Sequence, residues 1–267
     1  MGALGIPGGV LQRAAALAEP FGADAIELLT GRAALLGLHP RGRVSAGGAT
    51  RLLRTADGWC ALTLSRADDI ATVPALLQVD EIVDTWSDIA RWAATRSAAA
   101  VVQRGVLLDL PTARPGEAAA APPRVTACGR PVPPRGVAGS LVVDLTSMWA
   151  GPLCGQLLAR AGAVVVKVES PTRPDGTRAG DPRFFDWMNR GKLSHTVDFD
   201  RHRQELTELL AAADVVLEAA RPAALTRRGL GPRQTPARAG RVWVRITGYG
   251  PDQAGRVAFG DDAAVAG

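Results

Sequence analysis

Residues 141–169 read LVVDLTSMWAGPLCGQLLARAGAVVVKVE. Two short β-branched runs, LVVDL (141–145) and AVVVKVE (163–169), flank GPLCGQLLARAG (151–162), whose apolar residues recur at helical spacing. Strand, helix and strand in that order form a βαβ unit, and continuous apolar runs of this kind suit parallel strands covered on both faces. The rhythm then repeats downstream. RQELTELLAAA (203–213) places Leu206, Leu209 and Leu210 on one helical face and runs into VVLEA (215–219), and RVWVRIT (241–247) closes the series. The expected fold class is therefore α/β, a Rossmann-like parallel sheet with helices in the C-terminal half. In such a sheet ligands bind outside the carboxyl ends of the strands, which selects Thr146 to Gly151, Glu169 to Arg178, Glu218 to Pro222 and Gly248 to Asp252.

Upstream the pattern is different. RLLRTADGWCALTL (51–64) reads as a hairpin turning at Ala56-Asp57-Gly58, while 23–36 and 79–100 read as amphipathic helices. A smaller mixed α+β domain over 1–110 follows. Residues 111–139 are rich in Pro, Ala and Gly and read as a linker, since proline removes backbone donors and breaks helices, leaving 140–267 as the sheet domain.

The bulk numbers agree with a packed protein: 267 residues, 47% of them hydrophobic, with a net charge of +5. The basic excess is spread along the chain, which argues against nucleic acid as a partner, and no apolar run reaches the ~18 residues of a membrane span. Cys60, Cys128 and Cys154 have no metal-ligand or disulfide spacing, so no metal site is expected and a reducing, cytoplasmic setting is. The first loop, Thr146-Ser147-Met148-Trp149-Ala150-Gly151-Pro152, has hydroxyls and free amides that suit an anion and a proline suited to a helix start, but no GxGxxG. A dinucleotide-dependent oxidoreductase is correspondingly disfavoured.

The stretch VVDLTSMWAGPLCGQLLARAGAVVVKVESPTRPDGTR (142–178) resembles the opening of family III CoA-transferases, the formyl-CoA transferase and carnitine-CoA transferase type. The likeness continues through NRGKLSHTVDFD (189–200), ADVVLEAARPAALTRRGLG (213–231) and the final 241–267. It implies CoA and acyl-CoA as substrates with no prosthetic group, a carboxylic acid as acceptor, and interlocked dimers, so that a homodimer or pairing with a fuller homologue is expected. Carried over by resemblance, the CoA-contacting positions are Met148 and Trp149, Val197, Asp198, Phe199 and Asp200, then Ala219, Ala220, Arg221 and Arg227. Met148 and Trp149 would flank the adenine or pantetheine, and Arg221 and Arg227 would meet phosphates. Asp200 stands where a basic residue is often found, and Arg173 and Arg178 are the nearest cations after the VKVE run.

The family works through an aspartate that attacks the acyl-CoA thioester to give a mixed anhydride. By resemblance that aspartate lies beyond the segment matched by Phe259 to Gly267, so no catalytic residue is assigned, and Asp261 and Asp262 are expected to cap a helix or position the loop beside it. RLLRTADGWCALTLSRADDIATVPALLQ (51–78) and VQRGVLLDLPTARP (102–115) resemble the family's small domain, which normally follows the sheet domain. That order is expected of a piece of a tandem or permuted chain, or of a reading frame that ends early. The alternative to an enzyme is a non-catalytic CoA-binding or interaction subunit.

Overall fold

The computed structural model describes residues 5–119, 121–219 and 222–267. In chain order its elements begin with helices α1 (Gly8–Ala18) and α2 (Ala25–Leu36), then strands β1 (Thr50–Arg54) and β2 (Trp59–Thr63). Helices α3 (Ala67–Ala71), α4 (Val73–Leu77), α5 (Thr85–Ala94) and α6 (Ala98–Leu107) lead to the short strand β3 (Thr112–Ala113). After it come β4 (Leu141–Leu145), α7 (Ala150–Arg160), β5 (Val164–Glu169), α8 (Pro182–Asn189) and β6 (Leu193–Thr196). The chain continues with α9 (Arg203–Ala212), β7 (Val215–Glu218), α10 (Pro222–Thr226), β8 (Val242–Arg245) and α11 (Gly260–Ala266).

The five-stranded sheet runs β6-β5-β4-β7-β8 with every neighbouring pair parallel. Numbered along the chain this is the order 3-2-1-4-5 of a doubly wound sheet, and its switch point lies between β4 and β7. Successive β4 residues feed opposite layers. Val143 packs with Leu206 and Leu210 of α9, whereas Val142 packs beside Cys154 and Leu158 of α7. Both faces are covered, which is why the strands read as unbroken apolar runs.

Buried charge interrupts those runs at two places. Asp144 and Lys167 are paired in register on β4 and β5 and are at most 1% exposed. Glycines of α7 let the helix approach them. A Cβ on Gly155 would stand 2.9 Å from Asp144 Oδ2 and 3.1 Å from Lys192 Nζ, and one on Gly151 would collide with the Thr146 side chain.

The three-stranded sheet is antiparallel, β1-β2-β3, with Thr50 opposite Thr63 and Arg54 opposite Trp59, so the expected hairpin forms. Its core gathers Leu53, Cys60 and Leu62 with Leu76, Ile89 and Val101 from the helices beside it. The single helix expected over 79–100 is instead two. Asp84 caps α5 by accepting from the Ser87 amide at 2.8 Å, and the Ser97 hydroxyl caps α6 by accepting from the Ala100 amide at 3.2 Å. Two N-cap side chains in one periodic stretch end the first helix and restart the second. Two elements lie in what reads as a long polar loop: α8, where Asp181 accepts from the Arg183 amide at 2.9 Å and Phe184 and Met188 are buried, and the edge strand β6.

The compact units are drawn differently from boundaries set by composition at 1–110, 111–139 and 140–267. One unit joins His39–Arg124 to Thr247–Gly267, and the other joins Val125–Ile246 to the N-terminal stretch that ends at Leu38. Pairing explains the difference. Within the proline-rich stretch, β3 pairs with β2, and the amide of Ala118 donates to the Ala266 carbonyl of α11 at 2.8 Å. In the other unit, α2 packs on α8. Such contacts across long sequence separations leave little trace in local composition.

Candidate functional site

All strands of the larger sheet are parallel, so the loops that follow them share its carboxyl edge. The loop after β4 is fixed from below by ions. Lys167 donates to the Thr146 carbonyl and pairs with Asp175 at 2.8 Å, both side chains being at most 2% exposed. Asp175 in turn accepts from the Met148 amide at 3.1 Å and from the Thr177 amide and hydroxyl at 3.0 and 2.8 Å. Its own amide donates to Glu169, whose carboxylate is gripped by Arg178 through contacts of 2.6 to 3.2 Å.

Burial alone would raise the Asp175 and Glu169 pKa values. For Asp175 the Lys167 hydrogen bond and charge, with the Thr177 and Met148 amides, together outweigh it, and for Glu169 the Arg178 hydrogen bond and charge, the Asp175 amide and the Lys167 charge together do so, leaving both below the ordinary carboxylate range. A second buried pair lies beside the first: Lys192 meets Asp144 at 2.8 Å and also donates to the Pro152 carbonyl and to Asn189. Burial pulls the Lys192 pKa down against the pull of Asp144.

This anchoring holds Met148 at φ 76°, a left-handed conformation uncommon for a side chain of its kind. The Met148 side chain is 41% exposed, and a Cβ on Gly176 would approach its sulfur to 3.2 Å. Trp149 follows as the residue before α7; its indole nitrogen is buried and has no hydrogen-bond partner among the described residues. The guanidinium of Arg32, on α2, lies 6.0 Å from the Trp149 ring centre and 5.5 Å from that of Phe184.

The other expected positions divide into two kinds. Val197 is 3% exposed in the core beside α9, and its amide extends the sheet by donating to the Glu169 carbonyl at 3.0 Å. Phe199 packs against the same core. Asp198 caps the following turn by accepting from the amides of Asp200 and Arg201 at 2.9 and 3.0 Å. Asp200 is exposed and bound at 2.6 and 2.9 Å by the fork of Arg228, which brings the segment after β6 to the segment after β7. Ala219 and Arg227 are exposed, and Arg227 has no ion pair among the described residues. Ala220 and Arg221 lie outside the described residues.

The sequence reading passed over several groups that shape this edge. Glu218, the last residue of β7, is wholly buried; burial raises its pKa, opposed by a 2.7 Å hydrogen bond from the Trp243 indole and by Arg245. Lys167 and Asp144 carried a usable signal, because a lysine or aspartate inside a strand covered on both faces requires a buried partner. Arg178, expected as a phosphate arm, is committed to Glu169. Arg32 and the Asp200–Arg228 pair depend on long-range packing and leave no local signature.

In the smaller unit, Asp261 accepts from the Thr50 hydroxyl at 2.9 Å. Asp262 accepts from the Phe259 amide at 2.6 Å and from the Tyr249 hydroxyl at 2.8 Å, so it caps α11 as its place at the helix start suggests.

Comparison with known proteins bears on the same segment. Residues 137–266 match the family model CoA-transferase family III. The probable fatty acyl-CoA transferase Rv3272 of Mycobacterium tuberculosis is 39% identical over 129 residues, covering 44% of this chain and 33% of that protein. The succinyl-CoA–D-citramalate CoA-transferase of Chloroflexus aurantiacus is 35% identical over 128 residues, covering 44% and 32%. Among solved structures, the hypothetical protein Rv3272 from Mycobacterium tuberculosis aligns with a TM-score of 0.42 at 38% identity, over 48% of this chain and 38% of that one. A CaiB/BaiF family protein from Brucella suis aligns with a TM-score of 0.41 at 35% identity, over 46% and 36%. The chain spans about a third of the length of the curated relatives it matches. The likeness read from 141–267 is thus matched over residues 137–266, a segment similar to CoA-transferase family III.

Proposed function

We propose that the carboxyl edge of the parallel sheet binds a CoA thioester, and that the protein takes part in moving CoA between an acyl-CoA and a carboxylic acid. The observation that carries this reading is the loop 146–149 at the switch point, held by the buried Lys167–Asp175 pair with Met148 presented outward. A loop preset in this way needs no reordering when ligand arrives, so binding energy is not consumed in fixing it. Met148 and Trp149 offer an apolar and aromatic surface to adenine or pantetheine, and Arg227 offers a solvent-facing charge to phosphate. Val197 and Phe199 serve by shaping the floor under Asp198 and Asp200, with backbone of this stretch and of Ala219 lining the edge. Ala220 and Arg221 complete the proposed set.

The chemistry in this proposal is that of an aspartyl anhydride. No residue of the chain is assigned as the nucleophile. Asp144 and Asp175 are locked in buried ion pairs, Glu169 is gripped by Arg178, and Asp262 is taken up by Tyr249 and the Phe259 amide. That engagement favours a second reading, a CoA-binding subunit that acts beside a fuller homologue. A cytoplasmic setting and a homodimer belong to the first reading; among the described residues no helix is long and apolar enough to cross a membrane.

The test is a thermal-shift titration with CoA and acetyl-CoA, with NAD as control, because a ligand bound only by the folded state raises its stability by mass action. The reading expects a shift with CoA alone and, in Arg227→Ala, an affinity lower by roughly tenfold or more, the scale of a hydrogen bond to a charged group. A cooperative melt that CoA leaves unmoved would sink it. CoA binding without transfer from acetyl-CoA to any carboxylic acid would favour the subunit reading.

A further inference from the structure

Helix α2 lies outside the segment that resembles the CoA-transferases, yet it delivers a cation to the proposed site. Its seat is specific. Gly31 faces Trp187 of α8 so closely that a Cβ there would stand 2.5 Å from the indole carbon Cη2, and the Trp187 indole donates to Glu27 at 3.4 Å. Glu27, Gly31 and Trp187 therefore fix the helix, and the next residue, Arg32, lies against the rings of Phe184 and Trp149 at 5.5 and 6.0 Å. Arg32 is half-buried and has neither an ion pair nor a side-chain hydrogen bond among the described residues. The nearby Trp149 indole N–H also lacks an acceptor among the described residues.

A half-buried guanidinium is held at a cost unless its five donors meet acceptors, and its flat fork suits a carboxylate or phosphate better than any other partner. The two rings shield it on their own faces and leave the edge donors unused. We infer that Arg32 binds an anionic oxygen group of the substrate beside Trp149, a phosphate of CoA or the carboxylate of the acid that exchanges with it. This rests on the proposed function, and it adds a specificity-determining residue from a part of the chain that the family resemblance does not reach.

The experiment is calorimetric titration of the whole chain with CoA and, separately, with succinate as a simple carboxylate. Wild type is compared with Arg32→Gln, which keeps most of the stem but not the charge, and with Arg32→Lys. The inference expects Arg32→Gln to weaken one of the two anions about tenfold and Arg32→Lys to recover a large part of the loss. A loss with CoA assigns a phosphate, and a loss with succinate assigns a carboxylate. Unchanged affinity for both anions in Arg32→Gln overturns the inference, and so does an Arg32→Lys protein as weak as Arg32→Gln, which would mean that the fork matters only for packing. A wild-type chain that takes up neither probe overturns the functional reading itself, with this inference falling as a consequence.

Discussion

The two sides of the sheet's carboxyl edge are built on opposite plans. After β4 and β5 the loops rest on Lys167, Asp175 and Glu169, all at most 6% exposed and each bound to a named partner. After β6 and β7 the corresponding segments meet through Asp200 and Arg228, whose side chains are 67% and 37% exposed. The first pair works in a low dielectric and fixes geometry, while the second is screened by water and contributes little. The proposed site thus has a rigid half under Met148 and Trp149 and an adaptable half under the segment that carries Arg227.

The largest expected effect breaks the rigid half. Lys167→Met strands Asp175 without its cation and should cost about 3–5 kcal/mol in urea denaturation, while Lys167→Met combined with Asp175→Asn should recover much of that, because no charge is left buried alone. Next, Gly151→Ala drives a methyl group into the Thr146 side chain and should cost about 1–3 kcal/mol, with a matching loss of CoA affinity as the loop shifts.

A pH experiment separates the two sides further. Asp175 and Glu169 have lowered folded pKa values, so their stabilisation is present above the unfolded carboxylate range and is lost as pH falls through the folded values. Glu218 is raised, so its contribution is full below the unfolded value and is lost as pH rises through the folded one. Glu218→Gln, which mimics the protonated side chain, should therefore gain in stability relative to wild type as pH is raised from about 4 to about 8. A constant difference in urea midpoint across that range would count against the raised value. The smallest effect belongs to the exposed pair: Asp200→Ala should change stability by about 1 kcal/mol or less, and its effect should fade in high salt.

Legibility in the sequence followed the same division. Strands β4, β5 and β7 and helices α7 and α9 could be read because each buries a continuous or periodic apolar face, and β8 because VWV is a β-branched and aromatic run whose Trp243 and Val244 are partly buried. Strand β6 could not, since LSHT holds a single large apolar residue, Leu193, and that side chain is exposed. Helix α8 was hidden in a polar stretch because Phe184 and Met188 are the only buried residues of its eight. The resemblance pointed to Met148, Trp149 and the segment 197–200, yet it could not tell the core side chain of Val197 from the capping carboxylate of Asp198, a distinction that depends on which way each residue of a turn faces. Arg32 was invisible for a further reason: its meaning comes from Trp149 and Phe184, more than a hundred residues away along the chain.

Each compact unit is assembled from two stretches far apart in the chain, and this bears on the order in which the protein takes shape during synthesis. Thr50 and the strand it opens leave the ribosome about two hundred residues before Asp261, the carboxylate that receives the Thr50 hydroxyl. The antiparallel sheet must therefore wait with its α11 side uncovered until that helix emerges. During that interval a chaperone, or a neighbouring copy of the growing chain, could cover the surface that α11 later occupies, and so the emergence of α11 decides when the first hairpin is closed to outsiders.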